Sequence, residues 1–291
     1  PHFQHEVLPA MVNFCTEKIR TKKCDMVSVF RFPPTSEFMQ NFLAEFKAAG
    51  LRVRYLPDCV PRVMMELPES WQSYLSIISP NEKQMLLRRY RALTKQGVEL
   101  EIVQDSSLHD KDFDDFVRLH KASWNVRDRS SYFSSNKFET FQRSMMSQFR
   151  KDKIARLYYF KKDGVRFAAV QAYFMNGICC FYLSGLDRNF ELANQSPGKV
   201  LLSQVIKDAI EEGYKIFDFQ GGLEDYKFRL GGKRTSFGKA DIWKPGINSL
   251  KVLALLMYVN LRHMIVDLHF NEMVIKPIKK LQNKLLRTKK R

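Results

Sequence analysis

The sequence predicts a mixed α/β (α+β) fold built in more than one lobe, and three observations carry that reading. The chain has 291 residues, more than one hydrophobic core usually holds. Helical and strand patterns alternate over residues 1 to 80, and later Gln195–Lys233 reads as a tight turn, a helix, a buried strand and a Gly-rich turn in succession. A composition of 45% hydrophobic and 13% aromatic residues excludes a disordered chain.

The elements follow in order. Helical spacing runs from about Glu6 to Arg20, then comes the apolar run Met26–Phe32, a helix from Ser36 to Ala49 stopped by Gly50, the strand Leu51–Leu56 and, after Pro61, a second strand Arg62–Leu67. Trp71–Leu75 and Asn81–Gln96 read as helices. Arg88, Arg89, Arg91 and Lys95 make the second of these basic, which suits either a solvated face or an anionic ligand. Val98–Val103 alternates as a strand. The segment from Asp112 to Trp124 sets Phe113, Phe116, Val117, His120 and Trp124 along one helical face. His120 is a candidate general base or a structural hydrogen-bonder, and Trp124 a core anchor or a wall for an acyl group. Residues 126–153 are polar with scattered aromatics and end in a helix to Arg150. Three apolar strands follow, Ala155–Phe160, Arg166–Met175 and Ile178–Ser184, joined by Lys162-Asp163-Gly164 and Asn176-Gly177, which are hairpin turns.

In the stretch Gln195–Lys233, Ser196, Pro197 and Gly198 form the turn. Lys199–Glu212 carries Val200, Leu201, Val205, Ala209 and Ile210 at helical spacing, and Gly213 stops the helix. Tyr214–Phe219 is the strand, ending at Gly221 and Gly222. A turn that opens a helix beside a lysine favours an anion, because the unpaired amides and the helix dipole both attract negative charge. A common turn followed by a solvated lysine is the competing reading. The Gly spacing and the Lys-Ser/Thr pair of a Walker loop are missing. Among the ionisable groups after the strand, Asp218 is a candidate base or a turn cap.

Residues from about Arg88 to Lys233 resemble the CelD-type acetyltransferase domain, a branch of the GNAT superfamily related to the Fem peptidoglycan aminoacyltransferases. The resemblance rests on LLRRYRALTKQGVELEIV, FVRLHKASWNVR, the strand segment that begins ARLYYFKKDG and runs to NQSPGKVLL, and GYKIFDFQGGLEDYKFRLGGK, in that order and spacing. It implies a GNAT fold with two tandem GNAT-like lobes. The first is incomplete, its opening strands lying before Pro1, and the second is followed by a C-terminal amphipathic helix. The implied divisions are residues 1–96, a partial N-terminal lobe with its connecting basic helix; 97–246, the acyltransferase lobe; and 247–291, the helix and a basic tail.

The same resemblance implies an acyltransferase in which an acceptor amine or hydroxyl attacks a donor ester directly, without a covalent enzyme intermediate. No permanently bound cofactor or metal is needed; acyl-CoA is the implied donor, with acyl carrier protein or aminoacyl-tRNA, the donor of Fem enzymes, as alternatives. The loop Gln195, Ser196, Pro197, Gly198, Lys199 and Val200 would hold the donor's phosphates or pantetheine, although it keeps only one glycine of the usual two. Asp218, Glu224, Tyr226 and Lys227 are the implied catalytic group, Tyr226 and Lys227 matching the family's Tyr-Lys pair. His120, Trp124, Gln220 and Lys233 are the implied substrate-binding set. The implied acceptor is a cell-envelope sugar or polysaccharide, a lipid or an amino acid.

Charge and tail complete the reading. There are 48 basic against 31 acidic residues, a net charge of +17, so an anionic partner is expected: a nucleotide-bearing donor, nucleic acid or an anionic membrane face. Five cysteines without metal-ligand spacing predict a reducing compartment, no disulfide framework and no zinc. Pro1 is followed by no basic-then-apolar leader, so a cytoplasmic location is expected. Phe237–Trp243 is a candidate last strand before Pro245-Gly246. Leu250, Leu253, Leu256, Met257, Leu261, Met264, Ile265 and Leu268 then recur at helical spacing, and eight basic residues with no acidic one follow Glu272. That pattern suits a peripheral contact with an anionic inner membrane face, or a helix packed on the second lobe. A non-catalytic GNAT-derived module gripping RNA or anionic lipid is the alternative to an enzyme.

Overall fold

Turn chemistry sets much of the architecture. In the computed structural model the described residues are 4–104, 110–125, 131–246, 250–254 and 256–258. The predicted tail from 259 onward, with its basic residues, lies outside them. The chain divides into two compact units, Pro1–Val60 with Phe237–Arg291, and Pro61–Ser236.

The first unit contains α1 (Gln4–Arg20), β1 (Met26–Phe32), α2 (Glu37–Ala48), the opening part of β2 (Arg52–Glu66) and most of β8 (Lys233–Trp243). Ser36 caps α2 by accepting from the Met39 amide, and α2 turns Phe42, Leu43 and Phe46 inward. These residues meet Val12 and Ile19 of α1, Phe32 of β1 and Ile242 of β8 in one apolar cluster. β1 pairs antiparallel with β8 in the register Met26↔Trp243 to Phe30↔Lys239. Sequence reasoning expects two strands between Leu51 and Leu67; one continuous strand is present. Pro57 and Pro61 do not break it, because proline's fixed φ suits extended chain and neither is among the residues that β2 pairs with β7 (Ile216–Gly221).

The second unit holds α3 (Trp71–Ile77), α4 (Pro80–Lys95), β3 (Glu99–Gln104), α5 (Asp110–Asn125), α6 (Asn136–Lys151), β4 (Ala155–Lys162), β5 (Val165–Met175), β6 (Ile178–Leu186), α7 (Pro197–Glu211), β7 and α8 (Asp225–Arg229). The two hairpin turns are as expected. Asp163 and Gly164 take φ of 51° and 77°, Asn176 and Gly177 take 51° and 75°, and both pairs satisfy the double positive φ of a type I′ turn. They build the antiparallel meander β4-β5-β6, and β3, separated from β4 in sequence by α5 and α6, pairs antiparallel with β4. β6 then leads through α7 to β7, which returns parallel beside it, and β7 pairs antiparallel with the closing part of β2.

Alternation along the strands sorts side chains to two faces. Tyr158, Val170, Phe174, Cys179, Phe217 and Phe219 pack with α7 in the larger core. Leu157, Tyr159 and Ala169 pack with Phe113, Phe116 and Phe133 near α5 and α6. Among the described residues, no helix is long and apolar enough to cross a membrane.

Candidate functional site

The geometry of the site follows from a parallel pair that stays together only briefly. β6 and β7 are in register at Ile178↔Ile216, Cys179↔Phe217 and Cys180↔Asp218, and beyond Cys180 they part. A cleft of about 590 Å³ opens beside the upper part of β6, at the C-terminal ends of the strands, where open α/β sheets bind ligands. Phe181, Ser184 and Gly185 of β6 form its floor, Gly198 and Lys199 of α7 one wall, and Trp124 of α5 and Tyr226 of α8 others.

The edge of β6 beside the cleft carries outward-turned backbone groups. The Asp187 amide donates to the Phe167 carbonyl at 2.8 Å, and Gly185 stands opposite Ala169 in the ladder. By the alternation of antiparallel bonds, Ser184 and Leu186 then turn their amides and carbonyls away from β5. Those of Leu186 are taken by Ser123 of α5, whose hydroxyl oxygen accepts from the Leu186 amide at 2.6 Å and whose O–H donates to the Leu186 carbonyl at 3.0 Å. Those of Ser184 face the side from which β7 has withdrawn. α5 comes this close only because residue 185 is glycine: a Cβ there would stand 2.6 Å from the His120 amide nitrogen.

α7 meets the cleft with its N-terminus. Ser196 precedes it in the left-handed region, φ 55° and ψ 42°, and offers no side-chain cap. Pro197 occupies the first turn, where a missing amide costs nothing, so the helix starts two residues earlier than the apolar spacing indicates. A Cβ on Gly198 would meet nothing within 4 Å, leaving that wall open. Val200 is buried beneath the helix. Lys199 lines the cleft, but its ammonium turns to Glu82 of α4 at 2.8 Å. Gln195 faces α4 as well, its side-chain oxygen accepting from Arg89 at 2.8 Å.

The other predicted residues separate into two groups. Glu224 and Tyr226 line the cleft with Trp124, Gly198 and Lys199. Lys227, next to Tyr226 in sequence, is buried: its ammonium donates to the Gly221 carbonyl at 2.5 Å and pairs with Glu224 at 2.9 Å, pinning the loop that presents Tyr226. Asp218 is 2% exposed on the opposite sheet face. It accepts a bidentate pair from Arg62 of β2, at 3.0 and 2.6 Å, together with the Gln220 amide at 2.8 Å and side chain at 2.5 Å. Such an arrangement ties β2 to β7 and engages both carboxylate oxygens. Gln220, at φ 62°, also donates to Cys180. Lys233 is exposed at the start of β8.

His120 is 1% exposed. Burial lowers its pKa to about 4, so the imidazole is neutral at pH 7. Its Nδ1 lies 2.8 Å from the Ser131 hydroxyl, and its ring stacks on Trp124 at 5.8 Å between centroids. The histidine therefore orients the tryptophan wall. Burial, with Asp218 adding to it, pushes the Cys180 thiol up to about 12, and burial raises Cys179 well above its ordinary value. Both thiols stay protonated and are poor nucleophiles. All five cysteines are free, and among the described residues no group of His, Cys, Asp and Glu is arranged to hold a metal.

Ser123, Ser184 and Arg188 line the cleft without having been predicted. Ser123 adjoins Trp124 in sequence, but nothing local marks its hydroxyl as the clamp on β6. Ser184 turns backbone groups away from β5, a feature to which its side chain is no guide.

A family model described as an acetyltransferase (GNAT) domain matches residues 81–228. Among solved structures, FemX is similar over 80% of this chain and 76% of its own, at 12% identity and a TM-score of 0.57. A conserved protein of unknown function from Bacteroides thetaiotaomicron is similar over 81% and 75%, at 11% identity and 0.51. The C-terminal domain (DUF2156) of a putative lysylphosphatidylglycerol synthetase from Agrobacterium fabrum aligns over 83% and 72%, at 14% identity and 0.48. The first two likenesses establish a shared fold. No curated protein sequence matches the chain.

Proposed function

We propose that this chain, which belongs to the acetyltransferase (GNAT) domain family, moves an acyl group from a thioester donor, acyl-CoA, to an amine or hydroxyl acceptor in the cleft beside the upper part of β6. Family and fold make it an acyltransferase; donor, acceptor and residue roles are the proposal. The observation that carries it is the coincidence, in one cleft, of a helix N-terminus, an outward-turned strand edge and a phenol.

In this reading the α7 N-terminus faces the donor's phosphates and the Ser184 backbone holds the pantetheine amides as a further strand would. The acceptor's lone pair attacks the thioester carbon, and the tetrahedral oxyanion collapses with loss of the thiolate. Tyr226 donates its phenolic proton to that leaving sulfur. Glu224, exposed at the cleft mouth, takes the proton released by the acceptor. Proximity supplies the rest of the rate, because the walls fix the donor and leave one face of its carbonyl open. The sealed ion pair of Asp218 supports an anchoring role for it, and the buried bond from the Lys227 ammonium to the Gly221 carbonyl a role in presenting Tyr226.

The test is release of free CoA thiol from acetyl-CoA and longer acyl-CoAs with a panel of amino and hydroxyl acceptors. Tyr226→Phe is expected to lower kcat by roughly 10²-fold or more, the ordinary contribution of a positioned acid. Consumption of aminoacyl-tRNA without thiol release from any acyl-CoA would replace the donor class.

A further inference from the structure

Two bridges run from α4 to the approach of α7, and both touch residues that sequence reasoning places at the donor. Arg89 Nη1 donates to the Asn194 carbonyl at 2.9 Å and to the Gln195 side-chain oxygen at 2.8 Å. Glu82, in the first turn of α4 and buried, holds the Lys199 ammonium at 2.8 Å, the two side chains being 8% and 20% exposed. Between these anchors sits Ser196, a non-glycine residue in the left-handed region with no cap bond of its own. A backbone in that region persists where its surroundings over-determine it. Here the surroundings are α4.

The second bridge has a chemical consequence. A lysine in the first turn of a helix beside a cleft is, without a partner of its own, open to solvent or to an anionic ligand. In this chain a carboxylate already neutralises it and turns it away, and Glu82 does not line the cleft. Arg89, by contrast, spends its contacts on neutral oxygens, and its Nε is buried without a partner. It acts as a strut on the loop.

We propose that Glu82 and Arg89 are positioning residues for the donor. Arg89 holds the turn before α7 in its left-handed form. Glu82 sequesters Lys199, so that the donor is recognised by the α7 N-terminus and the β6 edge without a lysine–phosphate ion pair. The proposal rests on the reading of this cleft as the donor site.

The experiment is calorimetric titration of the whole protein with coenzyme A and, separately, with pantetheine, which has the same arm but no nucleotide. Glu82→Gln is expected to tighten coenzyme A by roughly three- to tenfold, the scale of one new charge-assisted contact at a partly exposed site, and to leave pantetheine unchanged. The gain should shrink with added salt and vanish when Lys199→Met is added to the same variant. Arg89→Met is expected to weaken both ligands by the same factor, because it loosens the turn and not a phosphate contact. A Glu82→Gln protein whose ratio of the two affinities matches the parent, or which loses both equally, overturns the proposal while leaving the donor site intact. Binding of neither ligand to the unmodified protein removes the donor reading, and the proposal with it.

Discussion

Replacing Asp218 by alanine separates an anchor from a base. The carboxylate is buried and takes two bonds from Arg62 and two from Gln220. Its removal takes the carboxylate from the Arg62 guanidinium, itself buried at 6% exposure, and breaking a buried ion pair from one side costs about 3–5 kcal/mol. With a urea slope of about 2–3 kcal/mol per molar, the unfolding midpoint of the second unit should fall by roughly 1–2 M. The double variant Arg62→Met with Asp218→Leu removes both charges in a similar volume and should recover most of that loss, since buried ion pairs are often replaceable by apolar side chains. Urea unfolding followed by circular dichroism, run on the parent, the single and the double variant, gives all three midpoints. A single variant that keeps its midpoint within about 0.3 M and yet has no turnover would refute the anchoring argument and make Asp218 the base.

Burial holds the His120 pKa near 4, below the ordinary 6.5, so the folded state binds its proton less readily than the unfolded chain. That depression costs nothing above pH 6.5 and removes up to roughly 3 kcal/mol of stability as pH falls from there to 4; His120→Gln should flatten this part of a stability-versus-pH curve, and an unchanged slope would contradict it. Gly185→Ala brings a methyl within 2.6 Å of the Leu119 carbonyl carbon and the His120 amide nitrogen, both backbone atoms, so it should cost about 1–3 kcal/mol and displace α5 from the cleft wall, read as a changed tryptophan emission with a lowered melting temperature. Gly232→Ala is expected to be as harmful, its Cβ falling 2.4 Å from Val63 and 2.8 Å from the Lys227 carbonyl, and a melting temperature equal to the parent's would contradict that.

Local chemistry made much of the fold legible. Asp163-Gly164 and Asn176-Gly177 specify their turns through dihedral angles that few other residues accept, and the apolar spacing after Pro197 specifies α7. The short helix α8 was hidden in a Gly-rich segment because five residues give too little period to detect. The discontinuous first unit, in which β1 pairs with a strand more than 200 residues later, leaves no local trace. Within the site, helical spacing placed His120 and Trp124 on one face, yet nothing local shows that the histidine would be sealed against Ser131. Tyr226 and Lys227 are adjacent in sequence and part in space, one to the cleft and the other beneath its loop. Lys199 and Asp218 read as free charges until their partners, Glu82 and Arg62, are brought in from distant segments. Long-range pairing decides which charged groups remain available for chemistry, and a single sequence does not display it.

The most direct measurement is thermal unfolding with and without acetyl-CoA, on the parent and on Gly198→Glu. Gly198 suits the test because its φ is not in the left-handed region and an added Cβ meets nothing within 4 Å, so the substitution should leave the fold alone while placing a carboxylate at the α7 wall. Saturating donor should stabilise the parent, by about 2.7 kcal/mol at a hundred times the dissociation constant, and the stabilisation should disappear in the variant. An equal shift in both proteins would move the donor away from α7, and no shift in the parent with any acyl-CoA would contradict the thioester donor.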